Sequence, residues 1–438
     1  MNLSVIILAA GKGTRMNSLK PKVFHEVANY PMLYHVIDSA MALSPYSCSL
    51  VISEQMSDQA KLIKDKYNKV KFYIQKKQLG TANAVMSVTK TRVKSINDIT
   101  LILFGDSPLI ETKTIRKMIS KIKKNNADML ILTMKPDDPK NYGRIIVEKN
   151  RVKKIVEFSE ASLSHKKIKL CNSGVMAFKT SILNKNLSKI RDNNSKKEFY
   201  LTDLVEILNQ NKHSVLSHEC NANETLGVND RTDLQKVDSL FQLKIRDKLL
   251  KKGVTLLDPT STYFSYDVDI GKDSTIFPNV YFGLNVKVGK NVKIKSFSNL
   301  EDADIRDGCE IGPFARIRNK TKILENSRVG NFVELKNSKI SKEVKMAHLS
   351  YIGDATIEDN TNIGAGTITC NFDGKRKNKT KIGKNCFIGS NTSLIAPLEI
   401  KKNSIVGAGT VLKNNVSVGT TVFRKSELIK KKNFKKVR

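Results

Sequence analysis

Apolar residues recur every six positions through the last third of the chain: Ile382, Ile388, Leu394, Ile400, Val406, Leu412 and Val418. The same step runs from Ile270 through Ile276, Phe282, Val288 and Ile294 to Leu300. It runs again from Ile305 through Ile311, Ile317, Ile323 and Val329 to Leu335. A period of six fits neither a helix, with about 3.6 residues per turn, nor a lone amphipathic strand. It fits a short strand and a bend, repeated, with one inward side chain per unit. That is a parallel β-helix of hexapeptide repeats. Glycines follow several column residues (Gly271, Gly289, Gly312, Gly330, Gly353, Gly364, Gly383, Gly389 and Gly407) and are expected to make its corners.

With 438 residues the chain exceeds one typical core, and two domains are expected. Residues 1–228 alternate strands and helices, 229–251 read as a connecting helix, and 252–438 hold the repeats. Strands are expected over 3–10, 50–53, 70–75, 100–104 and 128–134, with helices over 32–43 and 114–123. This is a Rossmann-like α/β pattern with a mostly parallel sheet, whose ligands belong beyond the carboxyl ends of the strands. The segment 371–381 breaks the hexad and must loop out.

No secretory signal is read, and no run approaches the roughly 20 apolar residues of a membrane span. Six scattered cysteines without CxxC spacing suit reduced thiols, and the expected location is cytoplasmic. The net charge of +34 invites a nucleic-acid reading. Its lysines are spread rather than striped and not interleaved with aromatics, so no nucleic-acid partner is expected. The tail 430–438 reads as a basic end.

Leu8, Ala9, Ala10 and Gly11, then Lys12, Gly13, Thr14, Arg15 and Met16, follow the first strand directly. Small residues there let backbone N–H groups approach an anion, and Lys12 and Arg15 add charge. The loop matches neither a P-loop nor a dinucleotide-binding fingerprint. Phe104, Gly105 and Asp106 end the fourth strand. A carboxylate at that edge can hold Mg²⁺, or it can cap the next turn. Thr202 or Asp203 can begin the helix 204–210. In the repeats, His348 stands beside Tyr351 and one coil from Lys336 and Arg318, where a solenoid needs no such residues.

These segments occur in a telling order: LAAGKGTRM, KPKV at 20–23, Gln75 through Gln78-Leu79-Gly80-Thr81, GDSPL, and Tyr142-Gly143-Arg144-Ile145. Ile155-Val156-Glu157, Asn172-Ser173-Gly174, EFYLTD at 198–203 and Gly227-Val228-Asn229 follow. Together they resemble the bifunctional N-acetylglucosamine-1-phosphate uridylyltransferase/glucosamine-1-phosphate acetyltransferase family over nearly the whole chain. The resemblance implies a nucleotidyltransferase domain followed by a left-handed parallel β-helix, and two reactions. Acetyl-CoA acetylates glucosamine-1-phosphate; Mg²⁺-dependent uridylyl transfer from UTP then gives UDP-N-acetylglucosamine for cell-wall and lipopolysaccharide synthesis.

It also implies roles. Leu8, Ala9, Ala10, Gly11, Gln75, Gly80 and Thr81 would hold uracil and ribose, with Phe104 and Gly105 beside them. Arg15 and Lys22 would neutralise the triphosphate, Asp106 and Asn229 would bind Mg²⁺, and Gly143, Glu157 and Asn172 would read the sugar. His348 would be the general base for acetyl transfer, a role suited to imidazoles, which titrate near neutral pH. Arg318 and Lys336 would grip the 1-phosphate, and Tyr351, Asn362 and Asn371 would orient the sugar. Ala365, Asn371, Phe372, Ser390, Ala408 and Lys425, with Arg424 as the neighbouring choice, would hold acetyl-CoA. A homotrimer is implied, each acetyl site built across neighbouring subunits. Phe104, Asn83 and Phe372 depart from the usual Tyr, His and Tyr. Two other readings stay open: a single-activity pyrophosphorylase with the β-helix as a platform, and a non-catalytic interaction protein.

Overall fold

The computed structural model describes residues 2–89, 99–139 and 142–425; the basic tail 430–438 lies outside them. The chain divides into two compact units, Met1–Phe241 and Gln242–Arg438.

In the first unit the sheet order is Val215–Glu219, Met129–Met134, Cys171–Lys179, Ile99–Phe104, Leu3–Leu8, Ser47–Ile52, Val70–Ile74. Neighbours pair in parallel except Cys171–Lys179, which runs antiparallel to the strands on both its sides. Leu3–Leu8 is almost wholly apolar because both its faces are covered. Val5 and Ile7 join a core with Leu33, Val36 and Ile115, whereas Ile6 and Leu8 join one with Val85, Ile102 and Leu183. The helices behind these cores are Met32–Met41 and Thr112–Lys124 on one face, and Thr81–Thr89 and Thr180–Leu187 on the other. All five expected strands are present. Thr81–Thr89 is a helix not among the expected elements; burial of Ala82, Val85 and Val88 overrides the weak propensity of its β-branched residues.

The helix Arg231–Lys251 crosses the division between the units. Its Val237 packs with Met16, Val27 and Val228 of the first unit. In the second unit, Gln242 donates to the Phe264 carbonyl at 2.7 Å and accepts from its amide at 3.0 Å.

The second unit is a left-handed parallel β-helix whose short strands stack into sheets of ten, nine and eight among the described residues. Each apolar column is in register. Ile270 pairs with Val288 and Val288 with Ile305, coils of 18 and 17 residues. The third hexad run ends one member early, at Leu412: Val418 is 55% exposed, and Val416 is buried against Ile400 instead. The last coil is two residues shorter, Val406 pairing with Val422, so the six-step cannot persist past Leu412.

The corner reading needs correction too. Of the nine glycines, only Gly312 has a positive φ. Asparagine holds the left-handed positions more often than any other residue, at 279, 285, 291, 319, 326, 337, 360, 385, 391 and 403. Asparagine tolerates that region better than other side chains. The glycines answer to stacking: a Cβ on Gly271 would lie 2.5 Å from the Gly289 carbonyl oxygen, and one on Gly383 2.6 Å from the Lys402 amide nitrogen.

Candidate active sites

At the carboxyl edge of the first unit's sheet lies a cavity of about 440 Å³. Leu8, Ala9, Ala10, Gly11, Lys22, Gln75, Gly80, Thr81, Phe104 and Asp106 line it, together with Lys12, Gln78 and Glu198. Local geometry shows why these residue types are needed. Gly80 has φ +100, and a Cβ there would meet the Phe199 carbonyl at 2.6 Å. Gln75, 5% exposed, donates through Nε2 to the Gly80 carbonyl at 3.1 Å and to Asn83 Oδ1 at 2.8 Å. Asn83 therefore fixes which end of the Gln75 amide faces the cavity. Thr81 Oγ1 accepts from the Leu201 amide at 3.0 Å. Gln78, absent from the expected set, donates to the Ala10 carbonyl at 2.7 Å and ties the 75–81 segment to the glycine-rich loop.

Lys22 lies on the 3-10 turn Lys22–Phe24, and its Cβ comes so close to Gly13 that a side chain there would clash at 2.6 Å. Lys22 Nζ meets Asp106 Oδ2 at 2.5 Å, with both side chains at most 20% exposed. The Val228 amide donates to the Asp106 carbonyl at 3.0 Å, bringing Asn229 to the same edge. Arg15 Nη2 donates to Asn229 Oδ1 at 3.1 Å. Two oxygen donors from distant positions thus converge, and both already attract cations. A hard divalent ion needs such a set, completed by water and substrate phosphate. These residues fit Mg²⁺, and Asp106 is engaged by Lys22 rather than by a turn cap.

The residues expected to read the sugar form a second cluster. The Asn172 amide donates to the Gly143 carbonyl at 2.8 Å, and a Cβ on Gly143 would sit 3.5 Å from Glu157 Oε2. Asn172 lies at a register break in its strand, and its Oδ1 accepts from the Gly174 amide at 2.9 Å. Gly174 packs beneath the Phe104 ring, where a Cβ would be 2.9 Å away, which joins this cluster to the cavity. Burial pushes the Glu157 carboxyl up, opposed by the Thr202 hydroxyl. Thr202 Oγ1 donates to Glu157 Oε1 at 3.0 Å, and neither Thr202 nor Asp203 caps the helix Leu204–Gln210 with its side chain.

In the β-helix the residue expected to act as general base stands at a corner. Asn331 pairs with His348, and Ala365, Ser390 and Ala408 occupy the same corner two residues past Ile363, Ile388 and Val406. His348 Nδ1 contacts Asn331 Oδ1. In the tautomer with Nδ1 protonated, Nε2 keeps the basic lone pair. Val406 pairs with Val422, so the fourth equivalent corner is Arg424, not Lys425. One position further, Phe297, Phe314 and Phe332 stack at centroid spacings of 4.9 and 5.0 Å, and Leu349 continues the exposed ladder. Above His348 the same place is taken by Gly366, Asn391 and Gly409.

Beside the corner, Arg318 pairs with Lys336 and Lys336 with Gly353. Arg318 Nε donates to Glu334 Oε1 at 2.7 Å. Asn371 Nδ2 donates to Asp354 Oδ2 at 2.5 Å, and Tyr351 Oη and Asn371 crowd over Gly353. The hairpin at 371–378, closed by the Asn378 amide on the Asn371 carbonyl at 2.7 Å, brings Lys377 to Lys336. The Lys377 ammonium lowers the Lys336 pKa, with burial and Arg318 adding to it. Three cations that repel one another form a site for an anion. Lys377 was missed because nothing in the loop's sequence says where it folds. Asn362 lies on a different sheet from the cation cluster, beside Lys345, and Phe372, exposed on the hairpin, is the bridge partner of Lys377.

The fold and sites define an α/β nucleotidyltransferase joined to a hexapeptide-repeat transferase. Family models agree: nucleotidyl transferase matches residues 4–274, and bacterial transferase hexapeptide (six repeats) matches 379–414. The chain is 42% identical over 426 residues to "Bifunctional protein GlmU" of Zymomonas mobilis, covering 97% of this chain and 94% of that one. It is 40% identical over 418 residues to the protein of the same name from Paramagnetospirillum magneticum, covering 95% and 92%. The corresponding protein of Thermosipho melanesiensis is 39% identical over 449 residues, covering 99% and 97%. The chain belongs to the bifunctional GlmU family. It is an enzyme with both activities, nucleotidyl transfer and acetyl transfer, for making UDP-N-acetylglucosamine. Among the described residues no helix is long and apolar enough to cross a membrane.

Proposed function

We propose that the two reactions divide between the units: the β-helix acetylates glucosamine-1-phosphate from acetyl-CoA, and the sheet unit transfers uridylyl from UTP to the product. The observation that supports this most is the Lys22–Asp106 pair lining the sheet-edge cavity, with the Arg15–Asn229 pair tied to it through the Val228 amide on the Asp106 carbonyl. There a phosphate oxygen of N-acetylglucosamine-1-phosphate attacks the α-phosphorus of UTP, and the bond to pyrophosphate breaks. Gln75, Gly80 and Thr81 hold the base, Glu157 and Asn172 the sugar, and Arg15 and Lys22 neutralise the phosphates. Mg²⁺, held by Asp106 and Asn229, supplies further charge neutralisation when bound. Positioning and electrostatics account for such a transfer without a covalent intermediate.

In the β-helix, Arg318, Lys336 and Lys377 take the 1-phosphate. The sugar amine attacks the thioester carbonyl, His348 Nε2 accepts its proton, and coenzyme A leaves. Ala365, Ser390, Ala408 and Arg424 line the acetyl-CoA edge, where small residues replace the aromatic ladder. The working state is a homotrimer. Exposed large apolar side chains flank that corner at Ile368, Phe387, Ile405 and Val411, whereas the third sheet presents Lys287, Lys322, Lys339 and Glu399 outward. Location is cytoplasmic, and the product feeds cell-wall and lipopolysaccharide synthesis.

Supplying one preparation with glucosamine-1-phosphate, acetyl-CoA, UTP and Mg²⁺ tests the reading. It predicts thiol and pyrophosphate release together. Pyrophosphate release only when N-acetylglucosamine-1-phosphate is supplied would reduce the chain to a single activity.

A further inference from the structure

Arg231 begins the helix Arg231–Lys251 but reaches away from it. Its Nε donates to the Met16 carbonyl at 3.3 Å, and its Nη1 lies 3.2 Å from His25 Nδ1. Both partners are firmly held: Met16 is 1% exposed and His25 5% exposed. Burial first, then the charges of Arg231 and Lys20, hold the His25 pKa down, so the ring meets the guanidinium as a neutral acceptor. Met16 ends the Thr14–Met16 turn that carries Arg15, and His25 follows the Lys22–Phe24 turn that carries Lys22. Arg15 in turn reaches back to Asn229. Two arginines thus cross between the same segments in opposite directions, above an apolar pad of Met16, Val27, Val228 and Val237.

We propose that Arg231 is a positioning residue for uridylyl transfer, clamping the Arg15 and Lys22 turns to the segment that presents Asn229. It touches neither Asp106 nor the cavity lining; it sets the register in which Arg15 and Lys22 meet Asn229 and Asp106. The inference rests on reading the sheet unit as the uridylyl-transfer site. A misplacement of about 1 Å can cost on the order of 100-fold in such a site.

The test uses the full chain, with UTP binding measured by calorimetry without Mg²⁺, and with kcat and the Mg²⁺ concentration for half-maximal rate. Arg231→Ala is expected to lower kcat for uridylyl transfer about 10- to 100-fold and to raise the Mg²⁺ requirement severalfold. UTP binding should stay within about twofold, because no bonding group of the base site is lost. His25→Ala should fall similarly, and the double variant should be no worse than either, since both break one clamp. His25→Asn, which keeps an acceptor near Nδ1, should recover most of the loss. Unchanged kcat and Mg²⁺ requirement in Arg231→Ala overturns the proposal. So does a kcat loss matched by lost UTP binding, which marks a merely structural role. If the unsubstituted chain does not turn over UTP, the underlying reading fails instead.

Discussion

The two candidate sites differ in how much of each a single chain supplies. The uridylyl-transfer candidate is a concave cavity whose lining comes from five segments of one unit, with its cations and oxygen donors already in contact. The acetyl-transfer candidate is an exposed corner: His348 stands at the edge, the cation cluster lies on the adjoining sheet, and Asn362 lies on the sheet of His348, away from that cluster. A doubly wound sheet makes a crevice at its strand ends without help. A β-helix is a convex prism, and a convex corner becomes a pocket only against a second surface. The apolar ladder below His348 is the part of the corner suited to meet one.

The sharpest way to break this division is a crossed pair of substitutions. His348→Ala should cut acetyl transfer about 1000-fold while leaving uridylyl transfer unchanged, as expected for loss of a general base. Asp106→Ala should cut uridylyl transfer by at least about 100-fold and spare acetyl transfer. Separate assays of the two reactions check both; loss of both activities in either folded variant would end the two-site account.

The two units were also unequally legible in sequence. The β-helix was readable almost to register, because one inward residue per six must be apolar. Where it failed, packing between coils decided: Val416 rather than Val418 fills the last coil, and stacking distance rather than corner conformation requires Gly271 and Gly383. In the sheet unit the buried strands were plain, but the Thr81–Thr89 helix and the antiparallel Cys171–Lys179 strand depend on tertiary burial. The short-motif residues Leu8 to Gly11, Lys22, Gln75, Gly80, Thr81, Phe104 and Asp106 line one cavity at the sheet's edge. Gln78, Asn83 and Lys377 act through neighbours that only the folded chain brings near.

Smaller effects sharpen the comparison. Leu335→Ala removes a fully buried column residue and should cost about 2–5 kcal/mol. Calorimetry should show the loss in the β-helix transition and not in that of the sheet unit. Arg424→Ala should raise the KM for acetyl-CoA about tenfold, the scale of one lost charge-assisted bond, whereas Lys425→Ala should leave it unchanged. Equal effects would mean that the final coil is out of register with Val422. The smallest effect concerns Asp203, whose pKa is raised from 3.8 to about 6 by burial first, then by Glu206, Glu157 and Glu160. A carboxyl raised in the folded state binds its proton more tightly there, so its ionisation opposes folding. Stability should therefore fall as pH rises from about 4 to about 6. Asp203→Asn should flatten that slope in denaturant titrations at each pH.

The most direct test of the central contrast, one site complete in a chain and the other completed by neighbours, is the chain carrying Phe314→Glu and Phe332→Glu. Its mass by light scattering and both specific activities would be measured on the same sample. The account predicts a monomer that keeps uridylyl transfer and has lost acetyl transfer. A monomer that still acetylates glucosamine-1-phosphate at the full rate, or a trimer that survives both charges, would contradict it.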